Sequence, residues 1–510
     1  MKFKIKALAA AFALAAAGQS FAAVSPTDTP AVTLYMSGSS ALQNATSMVA
    51  EYLFDTTAGV IELWDGDGTS AGTKGSNYRA YLGYIKNVTN LADGTPIPTS
   101  IRGKEVLVHY RAKGGSVYGV TPVALANEGN PLGTIAFLNP ASCGSSSVKT
   151  NPLTGIAVYS CTGTLNHATE AGISDVDPAM LNAPINQASA AGVPAFPSAS
   201  DPSKPWILSD TEIASLTPTA VVDQVFAIIV NGTGAQGSLH PATPGMLTLS
   251  KPQVAGLMGG AISDWSTIDP VNVAAGTSTM VICRRQPGSG TQATINENIF
   301  GAPCSTGAGI PLTYTADAGV PEMGTTTVVP VGRVVVVENS GSGQLAGCMT
   351  YANSNTDTTK AIDTTTGNIV AAGSANSVVL DASAHTYYAI GLMGLDHTVG
   401  SDIYQNVALD GNTPSLDSAS RGYTMAVEST FNAPSTLAGA KLDLFTAFTA
   451  EAGSPSMLGS VPVPGVLALG ENGWTPSTAV LNGTVSFESN NPVTRVGNFA
   501  NNCASMQQLQ

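Results

Sequence analysis

Apolar and polar residues fall into alternating blocks along this chain, and the blocks switch between two periods. Residues 34–36 read as a strand that runs into Ser37-Gly38-Ser39-Ser40. From there Ala41, Leu42, Ala45, Met48, Val49, Tyr52 and Leu53 recur at helical spacing through Phe54. Residues 105–110 form a second strand, which ends at Gly114-Gly115-Ser116. A helix starts behind Ser209 or Asp210, and 221–230 is almost continuously apolar, as in a strand buried on both faces. Ser250 caps a helix expected over 251–262, with Pro252 in its first turn. A short strand at 280–283 leads through Arg284-Arg285-Gln286-Pro287-Gly288-Ser289-Gly290-Thr291 into a helix that runs to about Phe300. Further strands are expected at 334–337, 387–392 and 423–427, the first followed by Asn339-Ser340-Gly341-Ser342-Gly343. Strands alternating with helices define an α/β protein. Residues 120–165 and 181–205, rich in Gly, Ser, Pro and Ala, read as surface insertions.

Composition narrows the classes. Charged residues are only 11% of the 510, against roughly 25% in an ordinary soluble domain. The apolar fraction of 43% excludes a disordered acidic chain, and a net charge of −14 excludes a basic nucleic-acid binder. Lys2, Lys4 and Lys6 precede an apolar stretch at 7–17 and then Ser20-Phe21-Ala22, the pattern of a secretory signal peptide cleaved near Ala22. Without those three lysines, 17 basic groups face 34 acidic ones, a mature charge of −17. The expected location is therefore periplasmic or secreted. Six cysteines suit that compartment. Short loops favour Cys143–Cys161 and Cys283–Cys304, which leaves Cys348–Cys503.

The strongest local chemistry lies at 284–291. A Gly-Ser-Gly-Thr turn opens a helix directly after two arginines. Helix N-termini expose unpaired N–H groups and a partial positive charge, so hydroxyls and a guanidinium added there make an oxyanion cradle. The bland reading of this segment alone is a flexible turn with a Thr cap beside surface arginines. Ser37–Ser40 before the next helix is a cradle of the same kind, although Ser40 and Gln43 also match a capping box. Gly114-Gly115-Ser116 is a third, and Asp175 and Asp177 in Ser174-Asp175-Val176-Asp177-Pro178 supply carboxylates, although Asp-x-Asp-Pro by itself is more often a turn. Gly232-Thr233-Gly234-Ala235-Gln236-Gly237 imitates a dinucleotide fingerprint, but Pro241 and Pro244 forbid the helix it needs. Asp65-Gly66-Asp67-Gly68-Thr69 imitates a calcium loop without its closing glutamate. The five histidines show no metal-binding helical spacing, and no hydrolase, zincin or Walker motif occurs.

In order along the chain, these segments resemble the phosphate-binding proteins of phosphate ABC importers. Arg285 with Gly288-Ser289-Gly290-Thr291 looks like that family's Arg-x-Asp-Gly-Ser-Gly-Thr signature. Ala261-Ile262-Ser263-Asp264-Trp265 looks like its helix ending in Gly-x-Ile-x-x-Trp. The resemblance implies the class II periplasmic binding-protein fold, two α/β lobes joined by crossing strands with an anion in the cleft. It implies a first lobe of 23–230 plus 421–510 and a second of 231–420. It carries over Ser40 as a hydroxyl, Ala41 as a backbone donor, Gly115 or Ser116 as the second loop's donor, and Arg285, Ser289, Gly290 and Thr291 as the rest of the cage. Asp175 takes the place of the carboxylate that accepts a proton from hydrogenphosphate, with Asp177 as the alternative. The family's signature aspartate is Pro287 here, and the chain is well over a hundred residues longer than a typical member.

The expected function is capture of phosphate or a similar tetrahedral oxyanion by a monomer, without cofactor or catalysis, for an ABC permease. Nucleic acid is not an expected partner. A secreted binding module uncoupled from transport is the first alternative, and a phosphatase-like hydrolase the second.

Overall fold

A computed structural model describes residues 24–66, 75, 77–92, 94–187, 206–231, 247–304, 318–395, 404–415 and 423–458, with short pieces at 466–468, 493–494 and 507–508. The expected leader, the dinucleotide-like glycines at 232–237 and Cys503 lie outside the described residues.

The first half of the chain supplies β1 (Val32–Gly38), β2 (Val60–Asp65), β3 (Tyr78–Tyr84), β4 (Glu105–Arg111), β5 (Thr134–Leu138), β6 (Cys143–Thr150), β7 (Ala157–Cys161), β8 (Thr164–Ala168) and β9 (Ala171–Ser174). The second half supplies β10 (Leu216–Asn231), β11 (Ser278–Arg285), β12 (Val334–Asn339), β13 (Thr386–Gly394) and β14 (Ala426–Pro434). Five helices matter below: α1 (Gln43–Leu53), α2 (Lys251–Met258), α3 (Gly290–Asn298), α4 (Ser342–Ser354) and α5 (Gly439–Ala452).

The main path of a fourteen-stranded sheet runs β12-β11-β13-β10-β14-β9-β1-β4-β3-β2-β7-β6. It contains two parallel centres. In the first lobe β1 pairs in parallel with β4 and β9, and in the second β11 pairs in parallel with β12 and β13. The long β10 connects them. Its first part, Leu216–Val225, is antiparallel to β14, and from Phe226 it is antiparallel to β13. The returning β14 pairs with both β10 and β9, so two strands cross between the lobes. The chain has the expected α/β class with two lobes.

The near-continuous apolar runs follow from this layering. Val225, Phe226, Ile228 and Val230 pack with Ile282, Val336 and Ile390 under Val254, Leu257 and Trp265. On the opposite face Val281, Val335 and Val337 pack with Leu345 and Met349 of α4. A strand covered on both faces cannot alternate apolar with polar. In the first lobe Leu34 and Met36 pack between α1 and α5, through Val49, Leu53, Leu444, Phe445 and Phe448.

Several boundaries differ from the sequence reading. Helix α2 stops at Met258 rather than 262, because Gly259 and Gly260 follow and Gly260 takes a positive φ of 73°. Residues 423–425 precede β14 instead of starting it, with Tyr423 and Met425 buried beneath. The run 120–165 carries a helix, Thr121–Asn127, and strands β5 to β8, and β7 extends the main sheet beside β2. Cys143–Cys161 closes the β6–β7 pair. The expected Cys283–Cys304 bond does not form, which also removes Cys348–Cys503: Cys283 bonds Cys348 instead. The physical reason is that β11 packs on α4, which brings those two side chains together in the buried layer despite 65 intervening positions.

Candidate functional site

Every loop that carried candidate chemistry leaves the C-terminal end of a parallel strand, where open α/β sheets place their ligand crevices. β1 runs into Ser39-Ser40-Ala41, β4 into Gly114-Gly115-Ser116, β9 into Asp175 and β11 into 286–291; Ser340-Gly341-Ser342, to which the sequence assigned no chemistry, leaves β12 in the same way.

The first three loops meet at Asp175. The Ser39 hydroxyl donates to the Asp175 carboxylate and accepts the Ala41 N–H at 3.0 Å. The Tyr110 hydroxyl donates to the Ser39 carbonyl. The Ser116 hydroxyl accepts the backbone N–H of Asp175 at 3.2 Å. The second lobe closes against them at Gly290. A Cβ there would stand 2.5 Å from Asp175 Cβ and 2.6 Å from Ser116 Oγ, so only glycine lets the start of α3 approach. At Gly115, whose φ is 80°, an added Cβ would stand 3.0 Å from the Gly288 carbonyl oxygen. The neighbouring Val117 N–H donates to that same carbonyl at 2.8 Å.

Arg285 is 3% exposed. Its guanidinium donates to Ser40 Oγ at 3.2 Å, to the Asn339 carbonyl at 3.2 Å, to Ser342 Oγ at 3.3 Å and to the Ser340 carbonyl at 3.4 Å. Burial draws its pKa down to about 10, and the Asp175 carboxylate opposes that shift. The side chain remains charged at neutral pH.

The helices that open here lack side-chain caps: none is made at α1, at the one-turn 3-10 helix Ser116–Gly119, at α3 or at α4. By contrast Ser209 and Ser250 form complete capping boxes elsewhere. Ser289 is buried at the start of α3, and Thr291, 2% exposed, has a hydroxyl without a partner among the described residues. A buried hydroxyl of that kind costs about 1–3 kcal/mol unless a ligand or water satisfies it.

Ser40, Ala41, Gly115, Ser116, Asp175, Arg285, Ser289, Gly290 and Thr291 are thus brought to one interlobe region. Asp177 is placed differently. It caps the short helix Pro178–Leu181 by accepting the Ala179 N–H at 2.8 Å, and burial raises its pKa to about 7. The Ser40–Gln43 capping box does not form. Gln43 donates to the Gly75 carbonyl, and Ser40 accepts from Arg285. Trp265 is a structural residue, fully buried and stacked on Tyr388 at 5.7 Å between ring centroids.

Sequence reading placed Ser39 within the Ser37–Ser40 cradle without giving it a role, and it missed Tyr110 and the chemistry of the loop 339–342. The signal for the loop was present, since a strand running through Gly and Ser into a helix occurs there as it does at 37–41. Among the described residues no group of three or more His, Cys, Asp or Glu side chains could hold a metal ion.

No protein-family model matches the chain, and no curated protein matches it. Among solved structures it is similar to a phosphate ABC transporter substrate-binding protein with bound phosphate from Clostridium perfringens, at 12% identity over 85% of this chain and 99% of that one, with a TM-score of 0.38. It is also similar to a phosphate-binding protein from Stenotrophomonas maltophilia, at 14% identity over 80% and 79% of the two chains, with a TM-score of 0.34. A third is an ABC-type phosphate transport receptor from Vibrio cholerae, at 11% identity over 60% and 88%, with a TM-score of 0.30.

Proposed function

We propose that this chain is an exported binding protein of the class II periplasmic type. It captures phosphate or a similar tetrahedral oxyanion between lobes of 23–230 plus 421–510 and 231–420, and delivers it to an ABC-type permease. The observation that carries this reading is the unpartnered, buried Thr291 hydroxyl at the uncapped start of α3, on the same loop as the buried Arg285. A desolvated anion needs many donors held in place. Uncapped helix starts and one guanidinium provide them without mobile surface charge. Asp175 is the acceptor in this cage. An anionic acceptor favours an oxyanion that still carries a proton to donate and disfavours sulfate, which carries none at neutral pH. The disulfides suit an oxidising compartment.

Isothermal calorimetry on ligand-stripped protein with phosphate, arsenate and sulfate tests the reading. Phosphate and arsenate are expected to bind, and sulfate at least about tenfold more weakly, the cost of one unfavourable buried contact. Absence of heat with all three anions overturns the assignment. Equal affinity for sulfate removes Asp175 from its role.

A further inference from the structure

Pro287, two residues after the arginine, offers it no acceptor side chain. The guanidinium nevertheless makes three of its hydrogen bonds to one short stretch, the Asn339 and Ser340 carbonyls and the Ser342 hydroxyl. We infer that the loop 339–342 is the device that positions Arg285 for the anion, and that the Cys283–Cys348 disulfide fastens this loop's helix to the strand that carries the arginine. The inference rests on the oxyanion reading of the cleft and goes beyond it in assigning what sets the arginine's geometry.

The loop is itself braced. The Asn339 carbonyl accepts the Gln286 N–H at 3.1 Å, and its side-chain amide donates to the Arg284 and Val337 carbonyls at 2.8 and 3.0 Å. The Ser340 N–H donates to the Thr366 carbonyl at 3.1 Å. Strand and loop therefore share hydrogen bonds on both sides of the arginine. Cys283 and Arg285 are two apart on β11 and lie on one face of the sheet, the face covered by α4. Cys348 lies on α4, less than two turns after Ser342. The covalent bond fixes the separation between β11 and α4, and that separation sets the reach from Arg285 to Ser342. Both sulfurs are fully buried, so the bond acts inside the lobe. All three anchoring acceptors are uncharged. The anchor orients the guanidinium without cancelling its charge.

Calorimetric phosphate titration of four variants tests the assignment, each with a thermal melt. Ser342→Ala is expected to weaken phosphate binding about fivefold, the worth of one hydrogen bond, while remaining folded. Ser342→Thr keeps the hydroxyl and is expected to bind within about twofold of the unaltered protein. The double variant Cys283→Ser/Cys348→Ser is expected to lose about fivefold or more. Cys143→Ser/Cys161→Ser, which breaks the bond on the far β6–β7 edge, is expected to stay within about twofold. Unaltered affinity in Ser342→Ala overturns the anchor while leaving the oxyanion reading intact, and so does an equal loss in both cysteine variants. Failure of the unaltered protein to bind phosphate overturns both. If Cys283→Ser/Cys348→Ser does not fold, the comparison of alanine with threonine at 342 decides the loop's role.

Discussion

Two carboxylates two residues apart have opposite surroundings. The Asp175 carboxylate accepts from the Ser39 hydroxyl beside a guanidinium, whereas Asp177 is buried with the Ala179 N–H as its cap partner. Burial raises the Asp177 pKa to about 7, and the cap bond opposes the rise. The unfolded chain holds this group near 3.9, so between about pH 4 and pH 7 the native state binds the extra proton. Stability from this group is therefore present at low pH and lost as pH rises through about 7. Asp177→Asn keeps a capping oxygen and carries no charge. The variant is expected to be more stable than the unaltered protein at pH 8, by about 2–4 kcal/mol at most, and to gain nothing near pH 4. Urea unfolding at the two pH values measures this. An equal effect at both would assign the difference to packing. Sequence alone offered either aspartate as the acceptor. It could not separate them, because the distinction lies in which of the two side chains faces the start of α3 and which turns back to cap its own helix.

At the scale of elements, the same local pattern has two outcomes. Ser250 with Gln253 forms the reciprocal box that the sequence announces, and α2 starts there. Ser40 with Gln43 has the same spacing, yet each side chain finds a partner from elsewhere in the chain: Ser40 from Arg285, 245 positions away, and Gln43 at Gly75. Capping is a local preference worth about 1 kcal/mol, and a buried guanidinium outbids it. Ser250→Ala is accordingly expected to lower unfolding free energy by about 1 kcal/mol and leave oxyanion affinity unchanged. Ser40→Ala is expected to weaken phosphate binding about fivefold with no loss of helix content. Denaturant curves, circular dichroism and calorimetry on the pair distinguish the two roles. Fraying of α1 in Ser40→Ala would restore the cap. Much of the fold was legible for the same reason that these details were not. Strand β10 and the alternation of strands and helices follow from burial periodicity along the chain. The Cys283–Cys348 bond and the 339–342 anchor depend on which face of β11 meets which helix, and that is a property of tertiary packing.

At the scale of the molecule, a net charge of −14 does not oppose capture of a small anion, because fixed N–H groups and one buried arginine dominate the local field. Affinity also depends on how the lobes hold together away from the anion. The Gly288 N–H donates to the Asn186 carbonyl at 2.5 Å, and the Asn296 side-chain amide donates to Asn186 Oδ1 at 2.8 Å. On α3 the Asn296 oxygen accepts from Gln292, whose own oxygen accepts the Arg285 backbone N–H at 3.3 Å. A chain of buried amides thus links the segment between β9 and β10 to the strand end that carries the arginine. A bond that exists only when the lobes meet stabilises the bound state and not the encounter, so its loss acts on departure of the ligand. Asn186→Ala removes the side-chain bond from Asn296, keeps the main-chain bond from Gly288 and leaves the Asn296–Gln292–Arg285 chain in place. Dissociation of phosphate is expected to quicken roughly tenfold, as for one buried hydrogen bond left unmade, with the association rate changed by less than about twofold. Stopped-flow kinetics separate the two rates. A slower association with unchanged dissociation would mean that Asn186 acts on the open form, and the amide chain would then have no part in holding the lobes closed.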